Sequence, residues 1–281
     1  VRLQIKPHLG DVLLQALRPK HISDWHQTLI HEGRIALVTI AAAHGALRTA
    51  LERAVKIEVL ARNVAKIITP PKTVKVEVTS LTKDQVADVL DKLAGHPLYP
   101  IVALAIGTGM RRGEIGALTW ADVDLGGRAL TIRRSLEQTR AHGIRVKAPK
   151  TKAGVRTISL PALAVDALRE HRIKTLERRI ALGAGALPPD APVFATIEGA
   201  WPSPAAITDQ WRTAVEQLDL PKVRLHALRH SHASALIAAG LDVITISRRL
   251  GHSKASITLD VYGHLFTNND TAAAEAIDAI F

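Results

Sequence analysis

Apolar residues recur at three- and four-residue steps through residues 34–68, at Leu37, Ile40, Ala41, Leu47, Leu51, Ala54 and Val55, which predicts helix across this alanine-rich stretch. Ahead of it, Ser23 has the chemistry of an N-cap for a helix running through Trp25 and Leu29 to Glu32, with Gly33 as its stop. Pro70 and Pro71 break helix twice, and Val74, Val76 and Val78 alternating with Lys75 and Glu77 read as extended linker. Thr82 and Gln85 form a capping box for a helix whose stripe, Val86, Val89, Leu90 and Leu93, ends at Gly95. Between residues 129 and 160 the period shortens to two: Leu130 and Ile132 alternate with Thr131 and Arg133, and Val155, Thr157 and Ser159 alternate with Arg156, Ile158 and Leu160. Turn chemistry at residues 150–154 places Lys150 and Lys152 at or beside a hairpin tip between these strands. After Pro161 the pattern returns to helix, with Ser203 and Pro204 as N-cap and first turn and with Gly240 and Gly251 as stops. The pattern gives a helical unit over residues 1–72, a linker over 73–80 and a larger unit over 81–281 that is mainly α with a small antiparallel β-sheet, an α+β arrangement.

Composition narrows the function. Lys and Arg number 37 against 26 Asp and Glu, a formal net charge of +11, and a field of that sign favours polyanions such as nucleic acid. The absence of cysteine excludes disulfides, thiolate zinc sites and thiol nucleophiles, and suits a reducing cytoplasm. The longest apolar stretch, residues 97–110, is interrupted by Gly107 and Gly109 and falls short of the ~20 residues a bilayer demands, so no membrane association is expected.

Three segments carry candidate chemistry. In His226-Ala-Leu-Arg-His230, His226 shares a helix face with Arg229 at three residues and with His230 at four. Two histidines at that spacing suit zinc, but the metalloprotease pattern needs glutamate where Ala227 stands, so no metal is expected; an arginine with no acidic neighbour points instead to an external anion. Residues 107–114, Gly-Thr-Gly-Met-Arg-Arg-Gly-Glu, superficially suggest a dinucleotide-binding turn, but the glycine spacing is wrong, and the segment reads as a helix break that points Arg111 into a site. Finally, Leu250, Gly251 and His252 precede Tyr262, one of only two tyrosines in the chain.

Together these residues resemble the tyrosine recombinase, or phage integrase, family over nearly the whole chain. Residues 108–114 match the family's first arginine box, Thr-Gly-(Leu or Met)-Arg-x-x-Glu; residues 226–230 match His-x-x-Arg-His; residues 250–252 match Leu-Gly-His. The resemblance implies Tyr262 as nucleophile and Arg111, Arg229, His226, His252 and Lys152 as catalytic, with Glu114 and His230 supporting and Lys150 the second choice for the lysine. One departure is Ala227, where many relatives carry aspartate. The resemblance further implies a SAM-like core-binding domain over 1–72 and a catalytic domain over 81–281 that clamp duplex DNA at attachment or core sites. It implies a monomer that becomes a homo-tetramer on DNA, accessory DNA-bending proteins, a cytoplasmic, nucleoid-associated setting in a bacterium or phage, and no cofactor. Related integrases often carry a further arm-binding domain, for which these residues offer no counterpart. Alanine-rich residues 271–281, ending in Ile280 and Phe281, read as an element that docks on a neighbouring protomer.

The chemistry asks for such residues. Cutting DNA while conserving bond energy requires a covalent intermediate, so a protein hydroxyl must displace the 5′ oxygen and keep the phosphate. A free tyrosine has a pKa of ~10, so forming phenolate at neutral pH costs about 4 kcal/mol unless a base or cations relieve it; His226 and Arg229 are assigned that help. Guanidinium forks of Arg111 and Arg229 match the charged oxygens of the transition state, Lys152 supplies the proton for the departing 5′ oxygen, and His252 donates a hydrogen bond to the phosphate. Two other readings use part of the same pattern: a non-enzymatic helix-turn-helix regulator over residues 230–253, and a type IB topoisomerase with similar residues.

Overall fold

The computed structural model describes residues 2–73, 79–149, 152–266 and 270–280. The alternating valines of the expected linker, Val74, Val76 and Val78, lie outside the described residues, as does Lys150. The chain divides into two compact units, Val1–Glu77 and Val78–Phe281. Among the described residues no helix is long and apolar enough to cross a membrane.

The first unit is helical: α1 (Lys6–Leu9), α2 (Pro19–Glu32) and α3 (Leu37–Lys56), followed by a short 3₁₀ turn at Val64–Lys66. Its core is Ile22, Trp25 and Leu29 from α2 against Ile40 and Leu51 from α3, closed by Val64 and Ala65. Gly33 ends α2 in the left-handed conformation, as its position suggested. The start of α2 differs from the expected Ser23. The N-cap is Arg18, five residues earlier, where Pro19 occupies the first turn and the Nδ1 atom of His21 accepts from the backbone N–H of Arg18 in place of an Asx or Ser cap.

In the second unit, α4 (Lys83–Lys92) opens on the Thr82–Gln85 capping box. Then α5 (Tyr99–Thr108) runs buried from Pro100 to Ala105; its lack of a polar face suits a helix wrapped by others. The short α6 (Arg112–Gly116) follows at once. Strands β1 (Val123–Asp124), β2 (Ala129–Ile132), β3 (Ser135–Thr139), β4 (Gly143–Lys147) and β5 (Arg156–Ser159) make two antiparallel sheets, ordered β1-β2-β5 and β3-β4. The expected pairing of residues 129–132 with 156–159 is present, Leu130 opposite Ile158. It is not closed by a simple hairpin: β3 and β4 are interposed, and Lys152 lies in a 3₁₀ turn, Lys152–Gly154, that leads into β5. Helices α7 (Ala162–Ala181), α8 (Pro204–Gln217), α9 (His226–Ala238), α10 (Val243–Leu250), α11 (Ala255–Tyr262) and α12 (Asp270–Asp278) complete the chain. The architecture is mainly α with small antiparallel sheets, as the hydrophobic pattern indicated.

Candidate functional site

The break between α5 and α6 is built on Gly109, whose φ of +66° favours glycine; a Cβ there would also lie 2.6 Å from the His232 ring and 2.8 Å from a Leu250 methyl. The chain therefore turns tightly against α9 and α10 and delivers Arg111 as the N-cap of α6. Glu114, one turn on, accepts from the Arg111 backbone N–H at 2.9 Å and from its Nη1 at 2.8 Å. This reciprocal cap fixes both the helix start and the guanidinium. Arg111 Nη2 reaches the Gly251 carbonyl at 3.4 Å, joining the first box to the third.

Arg229, in the first turns of α9, is only 3% exposed. Its guanidinium donates to the carbonyls of Gly109 and Leu250, the latter at 2.8 Å, and to His252 Nε2 at 3.0 Å. Carbonyls and an imidazole orient this cation without neutralising it. Burial, then the charge of Arg111, pull its pKa down to about 9. Because arginine only donates, His252 Nε2 is the acceptor, so the neutral ring carries its proton on Nδ1 and donates to Thr258 Oγ1 at 2.8 Å. In this state His252 has no Nε2 proton to donate to an external acceptor.

Tyr262 ends α11, 2% exposed and packed with Ala233, Ile237, Ile246 and Leu250. Its hydroxyl shares a 2.6 Å hydrogen bond with His230 Nδ1. The histidine in contact with the phenol is thus His230; His226, assigned as base from the resemblance, lies one helical turn away, its ring edge-on to that of His230 at 4.8 Å between centroids. His226 instead lines a cavity of about 1180 Å³ with Arg111, Arg112, Arg212, Lys222 and Arg224. A second cavity, about 960 Å³, is lined by Arg111, Arg112, Glu114, Lys147 and His252 among others. Both open beside Arg111, and in each the cations outnumber the carboxylates, which are Glu216 and Asp219 in the first and Glu114 and Glu137 in the second. The side chain of Lys152 lies outside the described residues.

Several residues that the sequence did not flag complete the site. Arg156 of β5 grips Glu114 through Nη2 to Oε2 at 2.9 Å and Nη1 to Oε1 at 3.2 Å. Arg249 donates to His232 Nε2 at 3.0 Å and to the carbonyls of Gly107 and Ser159, while His232 Nδ1 donates to the Ile106 carbonyl at 2.7 Å. The available signal was Arg156 itself, which alternates in phase with Ile158 and Leu160, both buried; a charge on the inward face of a strand needs a buried partner. Burial pushes the Glu114 carboxyl up, but Arg156 and Arg111 hold it below the usual carboxylate range.

Burial and neighbouring cations lower His230, His232 and His252 to about 4 from 6.5. In the unfolded chain these rings take protons near 6.5, before the folded protein does, so their contribution to stability is complete above that pH and is lost as pH falls toward 4. The denaturant midpoint of unfolding should therefore drop steadily from neutral pH through this window, and a flat midpoint there would contradict the buried neutral imidazoles.

A sequence model of the Phage integrase family matches residues 79–269. The "Tyrosine recombinase XerC-like" protein of Caldanaerobacter subterraneus subsp. tengcongensis is 28% identical over 95% of this chain and 72% of its own length. The ICEBs1 integrase of Bacillus subtilis is 28% identical over 98% of this chain and 75% of its own. Among solved structures, the Tn1549 transposon integrase in complex with a circular intermediate DNA superposes with a TM-score of 0.80 at 22% identity, covering 99% of this chain and 90% of that one. Lambda integrase residues 75–356, bound as a dimer to a core site, superposes with a TM-score of 0.61 at 17% identity over 95% and 85%.

Proposed function

The chain belongs to the phage integrase family, and from that premise we propose that Tyr262, Arg111, Arg229, His226, His252 and Lys152 form its DNA-cleaving centre, with Glu114 and His230 in support. The protein is a tyrosine-type site-specific DNA recombinase. In the proposed reaction the Tyr262 oxygen attacks a DNA phosphorus as the His226–His230 pair takes its proton, a 3′-phosphotyrosyl bond forms as the bond to the 5′ oxygen breaks, and that oxygen leaves with a proton from Lys152. Rejoining runs the same steps backward with a 5′ hydroxyl from the partner duplex, through a Holliday junction. Arg111 and Arg229 carry the charge that develops on the non-bridging oxygens. His230 is the immediate partner of the phenol and His226 faces the cationic cavity.

The observation that carries this reading is the guanidinium of Arg229, held by two carbonyls and an imidazole beside Arg111 and Tyr262. Cations so oriented and so under-compensated suit a phosphodiester. Both units contact the duplex as a two-domain clamp, residues 1–72 forming the core-binding part, 73–80 the linker and 81–281 the catalytic part; the DNA held by the Tn1549 and lambda relatives supports this. On attachment or core sites the protein assembles as a homo-tetramer, with α12 docking in trans and accessory DNA-bending proteins shaping the complex, in the cytoplasm of a bacterium.

The test is a nicked suicide duplex carrying the core site, incubated with protein in EDTA and resolved on a denaturing gel. A covalent protein–DNA band is expected without added metal. Binding with no band would move the reading to a non-cleaving regulator, and supercoil relaxation with no strand exchange would move it to a topoisomerase.

A further inference from the structure

Glu114 is 5% exposed, and its carboxylate is shared between two guanidiniums. Oε1 accepts from Arg111 Nη1 and Arg156 Nη1, and Oε2 from the Arg111 backbone N–H and Arg156 Nη2. The two arginines face different ways. The Arg156 side chain is 8% exposed against 40% for Arg111. Arg156 directs its remaining donors inward, Nε to the Arg249 carbonyl at 2.8 Å and Nη1 to the Gly154 carbonyl at 3.3 Å. Gly251, at φ +68°, leaves the space it needs: a Cβ there would lie 2.5 Å from Arg156 Nη1.

The charge count gives this geometry its meaning. A buried carboxylate bonded to Arg111 alone would form a neutral pair, and the guanidinium would meet a phosphate with its charge already satisfied. With Arg156 behind it, the same carboxylate faces two guanidiniums, and the uncompensated positive charge falls on the exposed one, Arg111. We infer that Arg156 is a positioning residue that satisfies Glu114 from inside the protein, so that Glu114 orients Arg111 without neutralising it. The same side chain ties the turn carrying Lys152, through Gly154, to the first box and to the end of α10 ahead of His252. The inference rests on the reading of Arg111 as a phosphate-binding group.

Two readouts test it on wild type, Arg156→Gln, Arg156→Lys and the double variant Glu114→Gln/Arg156→Gln. In single-turnover cleavage of the suicide duplex, Arg156→Gln is expected to be about 100-fold slow, the scale of losing one oriented transition-state donor. Removing the carboxylate as well should restore about tenfold, because nothing then neutralises Arg111. A packing role predicts the opposite, a double variant as slow as or slower than the single. Arg156→Lys keeps the charge without the fork and should stay within about tenfold of wild type; should Arg156→Gln fail to fold, a loss in Arg156→Lys as deep as that of Arg111→Ala overturns the inference. The second readout needs no cleavage: titration with inorganic phosphate, followed by the Arg111 side-chain NMR resonance, should show weaker binding in Arg156→Gln and recovery in the double variant. Unchanged phosphate affinity in Arg156→Gln overturns the inference. That pattern in a protein that never forms the covalent band would overturn the recombinase centre and leave the charge arrangement standing.

Discussion

Tyr262→Phe is expected to bind DNA as the wild type does and to form no covalent adduct at all. The ring is held by Ala233, Ile237, Ile246 and Leu250, contacts that phenylalanine keeps. The hydroxyl contributes its bond to His230, whose loss costs about 1 kcal/mol, too little to unfold a domain of this size. Chemically the loss should be complete, since the proposed phosphodiester exchange passes through a bond to that oxygen and phenylalanine has none. The one other tyrosine, Tyr99, starts α5 and packs against the core of the second unit. A denaturing gel after incubation with the suicide duplex decides the matter. An adduct persisting in Tyr262→Phe and vanishing in Tyr99→Phe would move the nucleophile to the start of α5 and dissolve the site as described.

Tyr262 also shows what attack requires. Its hydroxyl is buried and bonded to His230, and burial raises its pKa although Arg229 pulls it the other way. The resting pose therefore favours the neutral phenol. In the proposed reaction, reaching a phosphorus atom means exchanging the His230 bond for one to the DNA, with Arg229 the cation already close enough to favour the phenolate.

Much of this site was legible in the sequence because its local rules are short-range. The Arg111–Glu114 cap is a three-residue spacing, the His226–Arg229–His230 face is a helical period, and Gly251 stops α10 where a glycine is needed. What escaped depends on residues far apart in the chain. The pairing of Arg156 with Glu114 spans 42 positions, and nothing in the alternation around residue 156 names its partner. The choice between His226 and His230 as the phenol's neighbour turns on where the end of α11 meets α9, which helical spacing leaves open. The hairpin β3–β4 was missed for a different reason: β4 carries only two apolar positions, Ile144 and Val146, both exposed, and β3 only Leu136 buried, so the alternation is too short and lacks the buried face that marks the other strands.

Arg229 is where fold and chemistry draw on the same group, and its substitution should separate them. Arg229→Lys keeps a cation but loses the fork that spans Gly109, Leu250 and His252, and a single ammonium cannot hold those acceptors and a phosphate oxygen together. Single-turnover cleavage should fall by about 10²–10³-fold, and at least as far in Arg229→Ala. Stability follows a different course. Alanine leaves two buried carbonyls without their donor, at about 1–3 kcal/mol each. It also removes a cation whose burial is poorly repaid, as the pKa of about 9 indicates. These effects oppose, so the unfolding free energy should change far less than the cleavage rate, and the deficit should persist at temperatures where the variant is fully folded. A variant whose cleavage recovers on cooling, in step with its folded fraction, would place Arg229 in the scaffold instead of at the phosphate.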